Sequence, residues 1–383
     1  MRCLLILIVF CSCLSPLHAQ VDNSRLEQGP PPRAESAAAA MERSLSLSVF
    51  SFNYFRNYEY FNKFADGLTY YGLQLRPELV YRANEHLSLY GGISLSKDFG
   101  DAGFREIVPV LGIRYEKNGI SFISGAIDPH LSHGYIEPLL DYDRSITDPV
   151  EYGTQLKFDR PRHRTDIWIS WQNMIYKSSS EQEEILGGVS TSLHLLKKES
   201  HSLSLPIQVL GWHRGGQIDT TSLPVMTELN LAAGIEYAWT REGAVEKLFT
   251  KNYLVGFSSS SDQSPFERGG ALYLNAGLET RWLDAMLSYW KGNQFAAPAG
   301  APIFQSVSSN IDYPGLKQDN RNLLFLRLKK DFTLAEELFV SARLEPFWDF
   351  DGRYADYSMS LYLVYQGFFD LFRLPAGPGG QGR

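Results

Sequence analysis

Two histidines and several carboxylates crowd one short stretch of the chain: Asp128, His130, His133, Glu137, Asp141 and Asp143. Imidazole and carboxylate together can ligate a divalent metal, and a histidine beside Ser132 can serve as the base of a hydrolase. The spacing matches no motif for either chemistry, and Pro129 and Gly134 mark the stretch as a loop. It is therefore expected to form a solvated constriction or lid. Ser192 and His194 share a strand face two residues apart, which makes them neighbours but not a triad. No Walker loop, dinucleotide fingerprint or HExxH helix occurs. From the residues alone, the chain is expected to be no enzyme and to need no cofactor or metal.

A second set of ionisable residues sits at alternate positions of apolar segments. It comprises Arg76, Glu78, Glu106, Arg114, Glu116 and Lys157, then Glu228, Glu236, Glu279, Arg327, Arg343 and Glu345. Such alternation has a physical meaning only on extended chain, where successive side chains point to opposite faces. From Thr69 to Tyr81 the pattern is plain. Tyr71, Leu73, Leu75, Leu79 and Tyr81 share one face, with Gln74, Arg76 and Glu78 on the other. Ten residues separate Tyr71 from Tyr81, a height of roughly 23 Å for a strand tilted by about 45°. That is close to the lipid-facing band of an outer-membrane barrel with its aromatic girdles.

The same dyad returns to the C-terminus in about sixteen segments, with fourteen to eighteen compatible, the first near 43–55 and the last near 356–369. Connections alternate in length. Ala83–His86, Lys117–Gly119 with its Asn-Gly turn, Arg160–His163 and the reversal at Trp282 are short. Arg56–Gly67, Asp128–Val150, Met174–Ile185, Arg214–Pro224, Ser258–Gly269 and Gly292–Asn320 are long. Short periplasmic turns and long extracellular loops characterise single-chain outer-membrane barrels. The predicted fold class is all-β: a transmembrane up-and-down antiparallel barrel over residues 43–372. Pro77 and Pro109 lack a ladder N–H and predict bulges. A third bulge is expected at Val49 and Phe50, where the apolar parity switches.

Arg2, the apolar run Leu4–Phe10 and Pro16–Ala19 have the order of a secretory signal peptide, with cleavage expected after Ala19. Cys3, Cys11 and Cys13 all fall inside it, which leaves no thiol chemistry to the mature chain. Residues 20–42 read as a flexible periplasmic linker and 373–383 as a Gly- and Pro-rich tail. The formal net charge of -7 argues against nucleic acid. A mean hydropathy of -0.21 suits a barrel, half of whose strand residues face water.

The charged alternate positions are thus expected to line the lumen and, with the Asp128–Val150 loop, to set what passes through a passive channel for small polar solutes. Inward Trp168, Trp212, Trp290 and Phe347 could stack on sugar rings or pack against a folded-in loop. A non-conducting anchor and a lipid-modifying enzyme are the alternatives, the latter requiring His130, His133 or His194.

The segments TYYGLQLRPELVYR (69–82), LSKDFG (95–100), HLSHGYIEPLLDYDRS (130–145) and DIWISWQNMIY (166–176) carry a resemblance. The chain resembles uncharacterised, porin-like outer-membrane barrel proteins of the Bacteroidota type. The resemblance implies an outer-membrane barrel surrounded by lipid, and it brings no activity with it. Tyr357–Phe369 resembles the aromatic-ending signal read by the barrel insertion machinery.

Overall fold

The structure is a computed structural model that describes residues 23–29 and 43–374. The expected signal peptide, most of the linker and the tail from residue 375 lie outside the described residues. Strands β1 (Arg43–Glu59), β2 (Thr69–Arg82), β3 (Leu87–Asp98), β4 (Glu106–Lys117), β5 (Ile120–Ala126) and β6 (Tyr152–Arg160) open the ring. They are followed by β7 (His163–Asn173), β8 (Glu184–Lys197), β9 (His201–Arg214), β10 (Met226–Thr240) and β11 (Val245–Ser259). The ring ends with β12 (Arg268–Thr280), β13 (Asp284–Asn293), β14 (Asn320–Ala335), β15 (Leu338–Asp349) and β16 (Tyr354–Leu374). Each pairs antiparallel with its neighbours in sequence, and β1 pairs with β16 from Arg43↔Leu374 to Glu59↔Tyr357. The result is a closed sixteen-strand up-and-down barrel of the outer-membrane type.

The dyad pattern decides which face is which. On β2, Gln74, Arg76, Glu78 and Val80 are buried, whereas Tyr71 and Leu79 are 54% and 47% exposed. On β10, Glu228, Asn230 and Ala232 are buried and Leu229 and Leu231 exposed. The exposed apolar side is the lipid wall. Connections at one end are short, down to the two residues Asn118 and Gly119, both in the left-handed region at φ 50° and 69°. A Cβ on Gly119 would lie 2.3 Å from the Asp159 carbonyl oxygen, so glycine is required there.

The expected bulges are absent at all three places. Val49↔Pro77 and Ile93↔Pro109 run in register, and the β2–β3 ladder omits the pairs at Arg76 and Pro77 without slipping. Both prolines share the outward parity, where the ladder loses a bond and keeps its count. The parity switch on β1 has another cause: Phe50, Phe52 and Tyr54 point inward and are buried. The register shift on this strand falls at Leu45 and Ser46, against β16. Strand β16 also continues to Leu374, past its expected end at 369.

The core of the molecule is the lumen. Loops 127–151 and 294–319, both at the long-loop end, fold inward. They bring Ile136, Leu139, Phe295 and Phe304 against the inward Trp168, Tyr273, Trp290 and Phe325. A Cβ on Gly300 would sit 2.0 Å from the Pro138 carbonyl oxygen, so the two loops meet at backbone distance. Gly300→Ala should therefore separate them and destabilise the filled lumen by about 1–3 kcal/mol. Faster proteolysis of either loop in the folded barrel is the readout.

Candidate functional site

The loop histidines lie deep in the lumen on a 3-10 turn, His130–His133, whose left-handed terminator is Gly134. His133 is clamped from both sides. Its Nδ1 lies 2.9 Å from Asp166 Oδ2 on β7 and its Nε2 3.1 Å from Glu151 Oε2, while its ring stacks on Trp168 at 4.1 Å. His130 Nδ1 forms an ion pair with the other oxygen of Glu151 at 3.1 Å, and its Nε2 lies 2.8 Å from the Asp148 carbonyl. Burial opposes charge on both imidazoles, but Glu151 outweighs it, helped by Asp148 at His130 and by Asp166 at His133. The pKa values rise from 6.5 to about 10 for His130 and about 9 for His133. The same two cations overcome burial at Glu151 and hold it well below the usual carboxylate range. Imidazoles that stay protonated at neutral pH are poor general bases. This cluster is an electrostatic latch between loop and wall.

Asp128, Glu137 and Asp143 are latches as well, whereas the Asp141 carboxylate accepts from the Asp143 amide within the loop. Asp128 is buried but held below its ordinary range by Arg114 and Lys157. Glu137 pairs with Arg327, and Asp143 lies 3.1 Å from Arg56 and accepts a hydrogen bond from Tyr58. Burial pushes Glu137, Asp141 and Asp143 upward, with Arg327 and Arg56 opposing. The constriction expected from Asp128, His130, His133, Glu137, Asp141 and Asp143 is thus a packed plug bound to the barrel wall.

The alternate-position charges all share the inward parity, and most have protein partners. Arg76 pairs with Glu78, Arg114 with Asp128, and Glu345 with Arg56 and Arg327. Glu228 accepts from Ser264 and Glu236 from Tyr253, while Glu279 pairs with Lys247 at 2.7 Å. Glu116 accepts from Ser121, and Glu106 is exposed at the long-loop end of β4. Arg343 donates to Asn23 of the amino-terminal segment. Trp168, Trp290 and Phe347 are fully enclosed by the plug, and Trp212 is partly so, which leaves no open sugar platform. Cavities interrupt the filling among the described residues. One of about 60 Å³ lies between His133, Asp166 and Glu236, and one of about 40 Å³ between Gln28, Arg76 and Arg114.

Chemistry on a membrane lipid needs groups on the outward face. Three outward polar sets stand out among the described residues. At the short-turn end, His201 Nδ1 lies 2.8 Å from the Tyr237 hydroxyl and the ring stacks on Trp239. At the long-loop end, Thr69 donates to Asn57, which donates to Glu59 at 2.7 Å; no imidazole belongs to this chain. Also at the long-loop end, His213 Nδ1 lies 2.8 Å from Thr227 Oγ1 across the β9–β10 ladder. This last set alone joins an imidazole to an aliphatic hydroxyl. Its strand neighbours Ile185 and Trp171 face the same way, and the Trp171 indole donates to Glu183 at 3.0 Å. Exposed Met174, Tyr176, Leu223 and Val225 on the adjoining loops surround it with apolar surface. Ser192 and His194, in contrast, lie on the inward parity near the short-turn end of β8.

The sequence reading missed the His213–Thr227 pair because the two lie on different strands and neither belongs to a motif. Outward parity at a long-loop strand end was the one available signal.

A family model described as lipid A 3'-O-deacylase-type matches residues 35–374. No curated protein sequence matches the chain. Among solved structures, the barrel is similar to a loop L8 deletion mutant of OmpT, an outer membrane protein of Vibrio cholerae. The TM-score is 0.52 at 10% identity, covering 85% of this chain and 99% of that one. In-vitro folded OmpT of Vibrio cholerae gives 0.50 at 10% identity, with 87% and 99% covered. OprD of Pseudomonas aeruginosa gives 0.49 at 10%, with 88% and 98% covered. The likeness to OmpT, at such low identity, shows the fold alone. The family match corrects the expectation of a barrel without enzymatic activity, since the family is one of deacylase type: the chain belongs to the lipid A 3'-O-deacylase-type family.

Proposed function

We propose that this protein is an outer-leaflet lipid esterase that releases an ester-linked acyl chain from lipid A, with His213 and Thr227 as its reacting pair. The observation that carries this reading is the family match across residues 35–374. The geometry supports it: an imidazole nitrogen 2.8 Å from a hydroxyl, on the lipid-facing wall. The long-loop end of such a barrel faces outward, which puts the pair at the level of the outer leaflet. Acyl transfer needs a hydroxyl within hydrogen-bond reach of its base.

In the proposed reaction, Thr227 Oγ1 adds to the acyl carbonyl carbon as its proton passes to Nδ1 of His213. The imidazolium returns that proton to the sugar oxygen when the ester C–O bond breaks. Water then cleaves the acyl-threonine by the same proton route, which frees the fatty acid and restores the hydroxyl. Trp171, Met174, Tyr176 and Val225 offer the apolar surface along which the acyl chain would lie.

The test is incubation of the folded barrel in vesicles containing lipid A. Free fatty acid and a lipid A lighter by one acyl chain are expected in the mass spectrum. A folded, inserted protein that releases none overturns the reading. Passive diffusion of small polar solutes, which the inward charges alone suggested, would have to bypass the two loops that occupy the lumen. Planar bilayers should accordingly show closed conductance for the intact chain.

A further inference from the structure

The amino-terminal segment Asn23–Gly29, expected to be part of a flexible linker, enters the lumen at the short-turn end. Its contacts follow one another residue by residue. Arg343 donates to the Asn23 side chain, and the Arg25 guanidinium sits 4.0 Å from the Phe339 ring centroid. Leu26 is 2% exposed in a pocket of Phe50, Phe52, Phe339, Tyr362 and Val364 from the wall and Ile146 from the plug. The Leu131 amide donates to Glu27 at 2.8 Å, which ties the segment to the plug. Gln28 donates to Ser48 and Glu78, and Gln366 both donates to and accepts from the Gly29 backbone.

A two-way backbone clamp, one apolar anchor pocket and flanking polar partners are the elements of peptide recognition. We infer that the short-turn mouth of the barrel is a peptide-binding site, made for a short segment with a leucine anchor between a basic and an acidic residue. In this chain the ligand is supplied in cis. Gln28 and Gly29 also wall the cavity of about 40 Å³ that contains Arg76, Glu78 and Arg114, so the occupied site seals that cavity from the periplasmic side.

A tethered ligand acts at an effective concentration near the millimolar range, so a free peptide competes poorly while the tether is intact. The test therefore removes residues 20–29 from the full chain and titrates the folded barrel with a labelled peptide of residues 21–29, read by fluorescence anisotropy. Saturable binding is expected, at least tenfold tighter than to the intact barrel and at least tenfold weaker for the peptide carrying Leu26→Asp. No saturable binding, or equal binding of the Leu26→Asp peptide, overturns the inference. Should the deletion fail to fold, the full chain carrying Leu26→Asp serves instead. Its mouth should then accept the unmodified peptide, and failure to do so is equally decisive against the site.

Discussion

Replacing His213 by Ala should lower the proposed acyl-chain release by roughly 10²–10⁴-fold, the range by which a positioned base accelerates proton transfer. The barrel itself should be unaffected, because His213 is an outward side chain at a strand end and contributes little to the packed lumen. Thr227→Ala should fall by a similar factor. Thr227→Ser keeps the hydroxyl 14 residues from His213 in sequence and opposite it on the ladder, and should retain most of the activity. Fatty acid release measured on vesicles, with heat-modifiable mobility as the folding control, decides the matter. Activity of His213→Ala at the parent level would remove this imidazole from the chemistry.

Glu151→Leu should destabilise the folded barrel by about 3–5 kcal/mol, the usual cost of removing one partner from a buried ion pair. Both oxygens of Glu151 serve an imidazole at 3.1 Å, and all three side chains are buried. Without that carboxylate, Asp148 remains as the acidic partner of His130 and Asp166 as that of His133. His130 should then lose its proton near or below neutral pH, a change visible in the imidazole resonances. Denaturant midpoints of the two proteins give the energy. A change within error would show that the latch does not hold the plug.

The same cluster fixes a pH window. The folded pKa values of His130 and His133 are raised, to about 10 and about 9. Their contribution is complete below the ordinary histidine value and is lost as pH climbs through 9 to 10. Glu151 is depressed in the fold, so its contribution is present above the ordinary glutamate value and is lost as pH falls below it. The stabilisation contributed by this cluster, read as the difference between the parent and Glu151→Leu, should be greatest between about pH 5 and 6.5, decline progressively as pH rises from there towards 9 to 10, and decline again as pH falls below the ordinary glutamate value. A maximum outside that interval would contradict the assignment of charges.

The strands were legible because a period of two survives in any window long enough to show both faces. The Tyr71-to-Tyr81 segment and the Asn118–Gly119 turn needed no tertiary information. The contents of the lumen were not legible. The 127–151 and 294–319 loops lack periodicity, and Asn23–Gly29 looks like any polar linker until Leu26 meets its pocket. Inward Phe50, Phe52 and Tyr54 imitated a bulge because a filled lumen takes aromatics that an open one would not. His213 and Thr227 illustrate the same limit at the site. Each is ordinary on its own strand, and only ladder register makes them partners.

The seam between the first and last strands has a kinetic corollary. Arg56 meets Ser360, and Val49 meets Gly367, across nearly the whole length of the chain. Contacts of such separation form late, since the loop entropy must be overcome before any of them is rewarded. Hairpins can zip early and locally, but circumferential closure waits for the C-terminal ribbon. The 127–151 and 294–319 loops precede that ribbon in the chain, so they can be aboard before the hoop is fastened.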